Sequence, residues 1–286
     1  MIPGRFRALP ANAQGALWIL IGSLFLSAND AVVKTLGTDF HPIQMALFRY
    51  SIGMVLLLPW FVRAGRETWR TERLGTHFAR AAIAGVGQAA VYYGVIHLYL
   101  ADATAVAFTR PLFLTLLAVL FLGEVVGWQR WAATAFGFVG VLVMVRPGGV
   151  EFDIAWAVAL AAAVLFALGI VYIRRLATTE PSIRILFYYH VFGIALFAGP
   201  SAAVWQPFEP DQLVLLMTIG ALTCAGMVCF VQGFSIGEAS FVGPFEYLRL
   251  IYAALIGYWM FAEIPSIWTG VGAAMIVASA FYIARR

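Results

Sequence analysis

The chain is predicted to be an all-α integral membrane protein, with about ten transmembrane helices in two inverted halves of five. Three observations carry that prediction. Of 286 residues, 63% are hydrophobic and 11% charged, and the mean hydropathy is +0.89. Most of such a chain has to face lipid or other apolar helices. Its apolar runs reach the ~20 residues that a bilayer core requires, and they are continuous rather than alternating, which selects helices over barrel strands. The pattern also recurs after about 140 residues: Lys34 aligns with Arg174, Pro42 with Pro181, Gly53 with Gly193 and Glu124 with Glu263.

Hydropathy places the first five spans at approximately 14–36, 43–63, 78–99, 102–122 and 127–145, and the second five at approximately 154–176, 182–204, 212–236, 239–261 and 265–284. The first span follows Arg5 and Arg7 as a signal peptide would, yet it is too long, lacks an A-x-A cleavage site and matches the sixth. In the third, Gly85, Gly87 and Ala90 spell a dinucleotide fingerprint with no strand before it, so close helix packing is the better reading, as for Ala133 with Gly137 in the fifth. A Pro147-Gly148-Gly149 turn joins the halves, giving repeats over 14–146 and 154–286. Cys224 and Cys229 are five apart on one helix, beyond disulfide reach, and are expected to be free.

Cations set the expected orientation. Arg5, Arg7, Arg63, Arg66, Arg70, Arg73, Arg80, Arg130, Arg174, Arg175, Arg184, Arg285 and Arg286 fall at the termini or in every second loop, and the alternate loops hold only Arg146. Both termini are therefore expected in the cytoplasm, with the chain in a bacterial inner membrane. Five spans is an odd number, so the second half enters from the opposite side, the arrangement of many secondary transporters. The net charge of +4 reflects these loops and points to no nucleic-acid partner. Trp18, Trp60, Trp69, Trp128, Trp131, Trp156, Trp205, Trp259 and Trp268 lie at or beyond span ends, as headgroup-level anchors do.

No P-loop, H-E-x-x-H or Cys/His metal spacing is present, and His41, His77, His97 and His190 are scattered. No catalytic residue, metal or cofactor is expected. There remains the charge placed inside the membrane: Asp30, Lys34, Arg49, Arg110, Glu246 and Arg249. Such groups are costly there and face a cavity or one another. Asp30 and Lys34 are spaced to pair along one helix face, and Glu246 and Arg249 to neutralise each other. Arg49 either snorkels or joins the first pair. Arg110 has no acid within a turn; its partner is another helix, a carbonyl, water or a substrate carboxylate. Pro111 comes directly after it, and Gly243-Pro244 loosen the ninth span before Glu246; interrupted helices in both halves point to a binding site. Tyrosine hydroxyls at membrane depth also need partners. The candidate substrate site is thus Arg110, Tyr92, Tyr93, Tyr188, Tyr247, Glu246 and Arg249.

The stretch from Pro111-Leu112-Phe113 to Leu122-Gly123-Glu124, then Gly127, Trp131, Gly137, Gly140 and Arg146-Pro147, resembles the end of an EamA domain of the drug/metabolite transporter superfamily. Pro244-Phe245-Glu246-Tyr247, Gly257, Ala262-Glu263, Pro265 and Gly270 resemble a second copy, and Asp30, Lys34 and His41-Pro42 resemble the family's first two helices. Leu250 departs from the pattern, where a proline matching Pro111 is expected, and so do the arginines at 110 and 249. The resemblance implies two inverted five-helix bundles around a central cavity, and alternating-access transport of a small molecule across a lipid bilayer. YddG-type exporters of aromatic and other amino acids are the expected subgroup; riboflavin, S-adenosylmethionine or amphiphilic drugs are the alternatives. A channel leaves the inverted duplication unexplained, and an intramembrane enzyme lacks its motifs. Glu124 and Glu263, at span ends, are read as capping or loop-fixing residues. Asp30 and Glu246 each have a cation at helical spacing, so both are expected to stay ionised and transport to need no obligatory proton. Oligomeric state is left open.

Overall fold

The computed structural model describes residues 9–122, 127–145, 153–177, 179–236 and 243–284. In order these form α1 (Ala11–Leu36), α2 (Pro42–Ala64), α3 (Arg66–Trp69), α4 (Leu74–His97), α5 (Leu100–Ala107), α6 (Arg110–Leu122), α7 (Trp128–Val145), α8 (Ile154–Ala177), α9 (Ser182–Ala203) and α10 (Pro210–Ile236). A 3-10 turn (Gly243–Leu248), α11 (Arg249–Phe261) and α12 (Ile267–Ala284) complete the chain order. Each predicted span has a helical counterpart; α3 is a short turn between the second and third, and the fourth is split into α5 and α6. Six stretches, namely α1, α2, the α5–α6 run, α8, α9 and α10, are long and apolar enough to cross a membrane. The segments of α7, α11 and α12 are shorter and apolar, and α4 has the length, 24 residues. The chain is a multi-pass membrane protein. Glu124, Arg146 and Pro147-Gly148-Gly149 lie outside the described residues, as do the terminal arginines and the side chains of Arg130, Arg174 and Tyr247.

The break in the fourth span comes from one residue. Pro111 has no N–H to give the Ala107 carbonyl one turn earlier, and α5 ends at Ala107. Thr109 Oγ1 instead donates back to the Val106 carbonyl at 2.6 Å. In the second repeat the 3-10 turn takes the place of the first half-helix. Arg110 and Arg249 therefore each open a helix at an interruption.

Packing closes eight spans into a ring. Going round, α1 packs on α10, α10 on α2, α2 on α9, α9 on α4, α4 on α8, α8 on α6 with α5, α5 on α11, and α11 back on α1. Each repeat supplies every second wall, and the fifth and tenth spans, α7 and α12, pair against each other beside the ring. In lipid no hydrophobic force drives helices together, so small residues and close backbone approach carry the association. Gly137 receives Leu112 and Ser279, Gly140 receives Met275 and the Gly272 carbonyl, and Ser279 Oγ donates to the Ala133 carbonyl at 2.5 Å. Gly85 and Gly87, the false dinucleotide motif, meet Leu196 and Leu165.

The α2–α9 crossing shows the repeat most directly. Gly53 on α2 takes the His190 ring, and its mate Gly193 on α9 takes the Tyr50 ring; a Cβ on either glycine would lie within 3 Å of ring atoms. Tyr50 stands edge-on to Tyr189 at 4.9 Å. Arg49 neither snorkels nor joins Asp30 and Lys34: it donates to Tyr189 Oη at 2.9 Å, because that hydroxyl offers a buried acceptor on the facing helix. Arg80 lies over the same ring at 4.7 Å and donates to the Ile185 carbonyl.

At the arginine-rich end, Glu180 accepts from Thr71 Oγ1 at 2.7 Å and pairs with Arg184 at 2.5 Å, tying the α3–α4 connection to α9. Burial alone would push the Glu180 carboxyl up; hydrogen bonds from Arg184 and Thr71 outweigh it and hold the group below its ordinary value. Among the tryptophans, Trp60, Trp69, Trp128, Trp131, Trp205, Trp259 and Trp268 are exposed, while Trp156 packs against a core cluster. Both cysteines are free.

Gly193→Ala is expected to lower the melting temperature of purified protein, by overpacking against Tyr50 at a cost of about 1–3 kcal/mol. Gly199→Ala, on the same helix with open space around it, should leave the temperature unchanged or slightly raised. Equal melting of the two variants would contradict the packing assigned to this crossing.

Candidate functional site

Among the described residues, two ion pairs tie α1 to the second repeat, and neither is the along-helix pair that the sequence spacing suggests. Arg249 Nη2, on α11, meets Asp30 Oδ2, on α1, at 2.5 Å. Lys34 Nζ, one turn beyond Asp30, meets Glu263 Oε1 at 2.6 Å and also donates to the Leu98 carbonyl. The reason is charge balance in lipid. Pairing Asp30 with Lys34 would gain a few tenths of a kcal/mol, but even with Arg249 turned to Glu246 it would leave Glu263 without its cation, and an unpaired buried charge costs several. Crossing the repeats leaves all four matched.

Glu263 is not a cap on its own helix. Its Oε2 accepts the Leu100 N–H at 2.7 Å, fixing the start of α5 from the other repeat. Two backbone features aim it there. Ala262 ends α11 in the left-handed region at φ 54°, and Gly257 leaves room where a Cβ would sit 2.7 Å from Glu263 Oε2.

Between these pairs and the opposite wall lies a cavity of about 30 Å³, lined by Asp30, Gly94, Thr104, Arg110, Phe166 and Arg249 together with small side chains of α4, α5 and α8. It has room for one or two waters, so a metabolite enters only when the surrounding helices part. Arg110 lies over the Phe166 ring at 5.3 Å. Its Nε is buried without a hydrogen-bond partner, and among the described residues it forms no ion pair. Glu246, on the 3-10 turn, acts on it only through space.

Of the residues predicted from sequence, Arg110 and Arg249 share this cavity, and Glu246 is near Arg110. Tyr92, Tyr93 and Tyr188 are placed elsewhere. Tyr92 is wholly buried in the core cluster of α1, α2, α4, α9 and α10. Tyr93 stacks on His97 at 4.0 Å. Tyr188 donates to the Trp69 carbonyl at 2.5 Å, at the arginine-rich end. Tyr247 lies in the 3-10 turn, with its side chain outside the described residues. Sequence reasoning missed Phe166, Ala159 and Ala163, whose i, i+4, i+7 spacing marked one stripe of the sixth span. It also missed Asp102, a buried acid at the head of α5 that hydropathy had set at a span end. A second, larger cavity of about 260 Å³ lies between α2, α9 and α10, lined mainly by apolar groups with Arg49, Tyr189 and His190.

The EamA-like transporter family model matches residues 13–146 and again 154–285. An S-adenosylmethionine uptake transporter of Rickettsia bellii is 31% identical, over 96% of this chain and 95% of that protein. A riboflavin transporter of Vibrio cholerae is 29% identical over 94% of this chain and 92% of its own length, and a pseudopaline exporter of Pseudomonas aeruginosa is 26% identical over 95% and 96%. A solved crystal structure shares the fold at a TM-score of 0.64 and 18% identity, covering 94% of this chain and 96% of its own. With two family matches that together span nearly its whole length, the chain belongs to the EamA-like transporter family, within the drug/metabolite transporter superfamily, and is a membrane transporter of small molecules.

Proposed function

We propose that this transporter moves a carboxylate-bearing metabolite of the amino-acid type, S-adenosylmethionine in the first place, by alternating access, with Arg110 as the carboxylate receptor. One observation carries the reading. Arg110 and Arg249 occupy equivalent places in the two repeats, yet only Arg249 has an acid against it. The position in α8 equivalent to Asp30, by the spacing that relates Lys34 to Arg174, is Ile170. It comes after Phe166, Ala163 and Ala159 on the stripe that faces the cavity. The first repeat thus supplies its own carboxylate to one arginine, and the second leaves the other for a ligand.

The relatives' names bear on the choice. S-adenosylmethionine has a free carboxylate and amine, whereas riboflavin has no carboxylate, so a waiting guanidinium favours the former. Free amino acids share the same head group, and an aromatic amino-acid exporter stays within this reading only through Arg110; Tyr92, Tyr93 and Tyr188, offered for the side chain, lie away from the cavity. The arginine-rich end is assigned to the cytoplasm.

Reconstituted liposomes should show saturable, counterflow-capable S-adenosylmethionine flux and no riboflavin flux. Arg110→Gln removes charge-assisted bonds of about 1.5–3 kcal/mol, so flux at low substrate should fall roughly 10- to 100-fold with folded yield retained. Ile170→Asp, which gives Arg110 an internal partner, should lower it similarly. Riboflavin transport, or wild-type flux in Arg110→Gln, contradicts the reading. Single cysteines in the 63–80 loop and in the 146–153 connection, with Cys224 and Cys229 replaced, should label from opposite sides of the membrane; labelling from one side removes the assigned orientation.

A further inference from the structure

Asp102 is a buried carboxyl with no task in the transport scheme so far. It lies in the first turn of α5, at the Lys34 end, and is 7% exposed. Its Oδ1 is buried and accepts no hydrogen bond. A carboxylate in a first turn is ordinarily held ionised by the helix's free amides, but here that role is filled from outside: the Leu100 N–H goes to Glu263.

The groups around Asp102 leave it without a counter-ion of its own. From α1 comes Lys34, already engaged by Glu263 at 2.6 Å and by the Leu98 carbonyl. The turn after α11 brings Glu263 itself, a like charge, and α12 brings the Thr269 side chain. On α4, His97 is stacked on Tyr93 and directed to the Tyr93 carbonyl. Asp153, ahead of α8, accepts the Ala155 N–H at 2.8 Å, and α8 itself packs here through Ala155 and Ala159. The closed cluster therefore has two carboxyls and one ammonium. In a space of low dielectric, two carboxyls sharing one cation hold a proton between them. Glu263, with an ammonium on one oxygen and an amide on the other, is the member built to be ionised.

We propose that Asp102 is a proton-binding site: it holds a proton while the Lys34 end is closed, and releases it when α5 separates from Glu263 and water reaches the carboxyl. Closure of this end then takes up a proton from the solution on its own side and reopening returns it there, so the closing equilibrium depends on the pH of that side while no proton crosses the membrane. The expectation that transport needs no obligatory proton takes Asp30 and Glu246 as the only acids in the core; Asp102 adds a third, whose proton accompanies closure rather than crossing the membrane. This role holds whichever metabolite is carried, so its failure and that of the substrate assignment are separate.

Infrared difference spectra of the full-length protein in lipid, recorded against pH without substrate, test it. Wild type should show a protonated carboxylic-acid carbonyl band that disappears as pH rises; carboxyl-labelled ¹³C-aspartate should shift that band and labelled glutamate should not. Asp102→Asn should lack it, and the exposed-site variant Glu209→Gln should keep it. In Asp102→Glu, useful if the asparagine variant fails to fold, the band should become sensitive to labelled glutamate instead. A wild-type spectrum with no titrating aspartate band, a band that survives Asp102→Asn, or one that stays aspartate-sensitive in Asp102→Glu overturns the proposal.

Discussion

The contact on which the rest depends is the pairing of Asp30 with Arg249 across the two repeats. A guanidinium at membrane depth is tolerated only beside a compensating charge or in a wet cavity. Because the acid stands on α1 and the base opens α11, satisfying both fixes the two helices against each other at the level of the helix break. Lys34 and Glu263 repeat the arrangement one turn nearer the surface, and Glu263 adds the Leu100 amide, so the head of α5 is drawn into the same joint. Chain-breaking residues then become productive. Pro111 and the 3-10 turn interrupt two helices, and each interruption presents an arginine at the head of the next helix.

An inverted duplication gives one ancestral position two environments, and the differences between mates say what each half does. Gly53 and Gly193 remain equivalent, each receiving the ring, His190 or Tyr50, from the facing helix, because both serve one crossing that the pseudo-symmetry maps onto itself. Arg110 and Arg249 remain identical in type and differ in partner. Where the mate of Asp30 is Ile170, the symmetry is broken by a missing charge, and the stacking of Arg110 on Phe166 orients a guanidinium without neutralising it. The cavity around it is water-sized, which suits a state closed around the site. Binding a metabolite there requires the ring to open on one side, and separation of α5 from Glu263 is one such opening.

The architecture was largely legible in the sequence because a bilayer permits few solutions: long apolar runs have to be helices, and arginines between them reveal the repeat. Arg110 and Arg249 were legible for the same reason, since charge in an apolar run has few innocent explanations. Pairing was not. Spacing along a helix shows which neighbours are within reach, whereas the partner chosen depends on the fate of every other charge, as Lys34 and Glu263 show. The tyrosines misled because a buried hydroxyl was equated with a cavity: Tyr92 is enclosed by packing and Tyr188 is held by the Trp69 carbonyl at the end of α3. Asp102 was hidden by a boundary. At the edge of a predicted span it reads as a surface acid, and only the fold of the α11–α12 turn over α5 buries it.

Whether Arg110 meets a substrate carboxylate can be read from equilibrium binding of S-adenosylmethionine and of its decarboxylated form to wild type and Arg110→Gln in lipid nanodiscs. Losing the carboxylate should weaken binding to wild type by roughly tenfold or more, the size of one charge-assisted hydrogen bond. The two ligands should bind Arg110→Gln equally. Equal binding of the two ligands by wild type, or a carboxylate preference that persists in the variant, would rule out Arg110 as the carboxylate receptor.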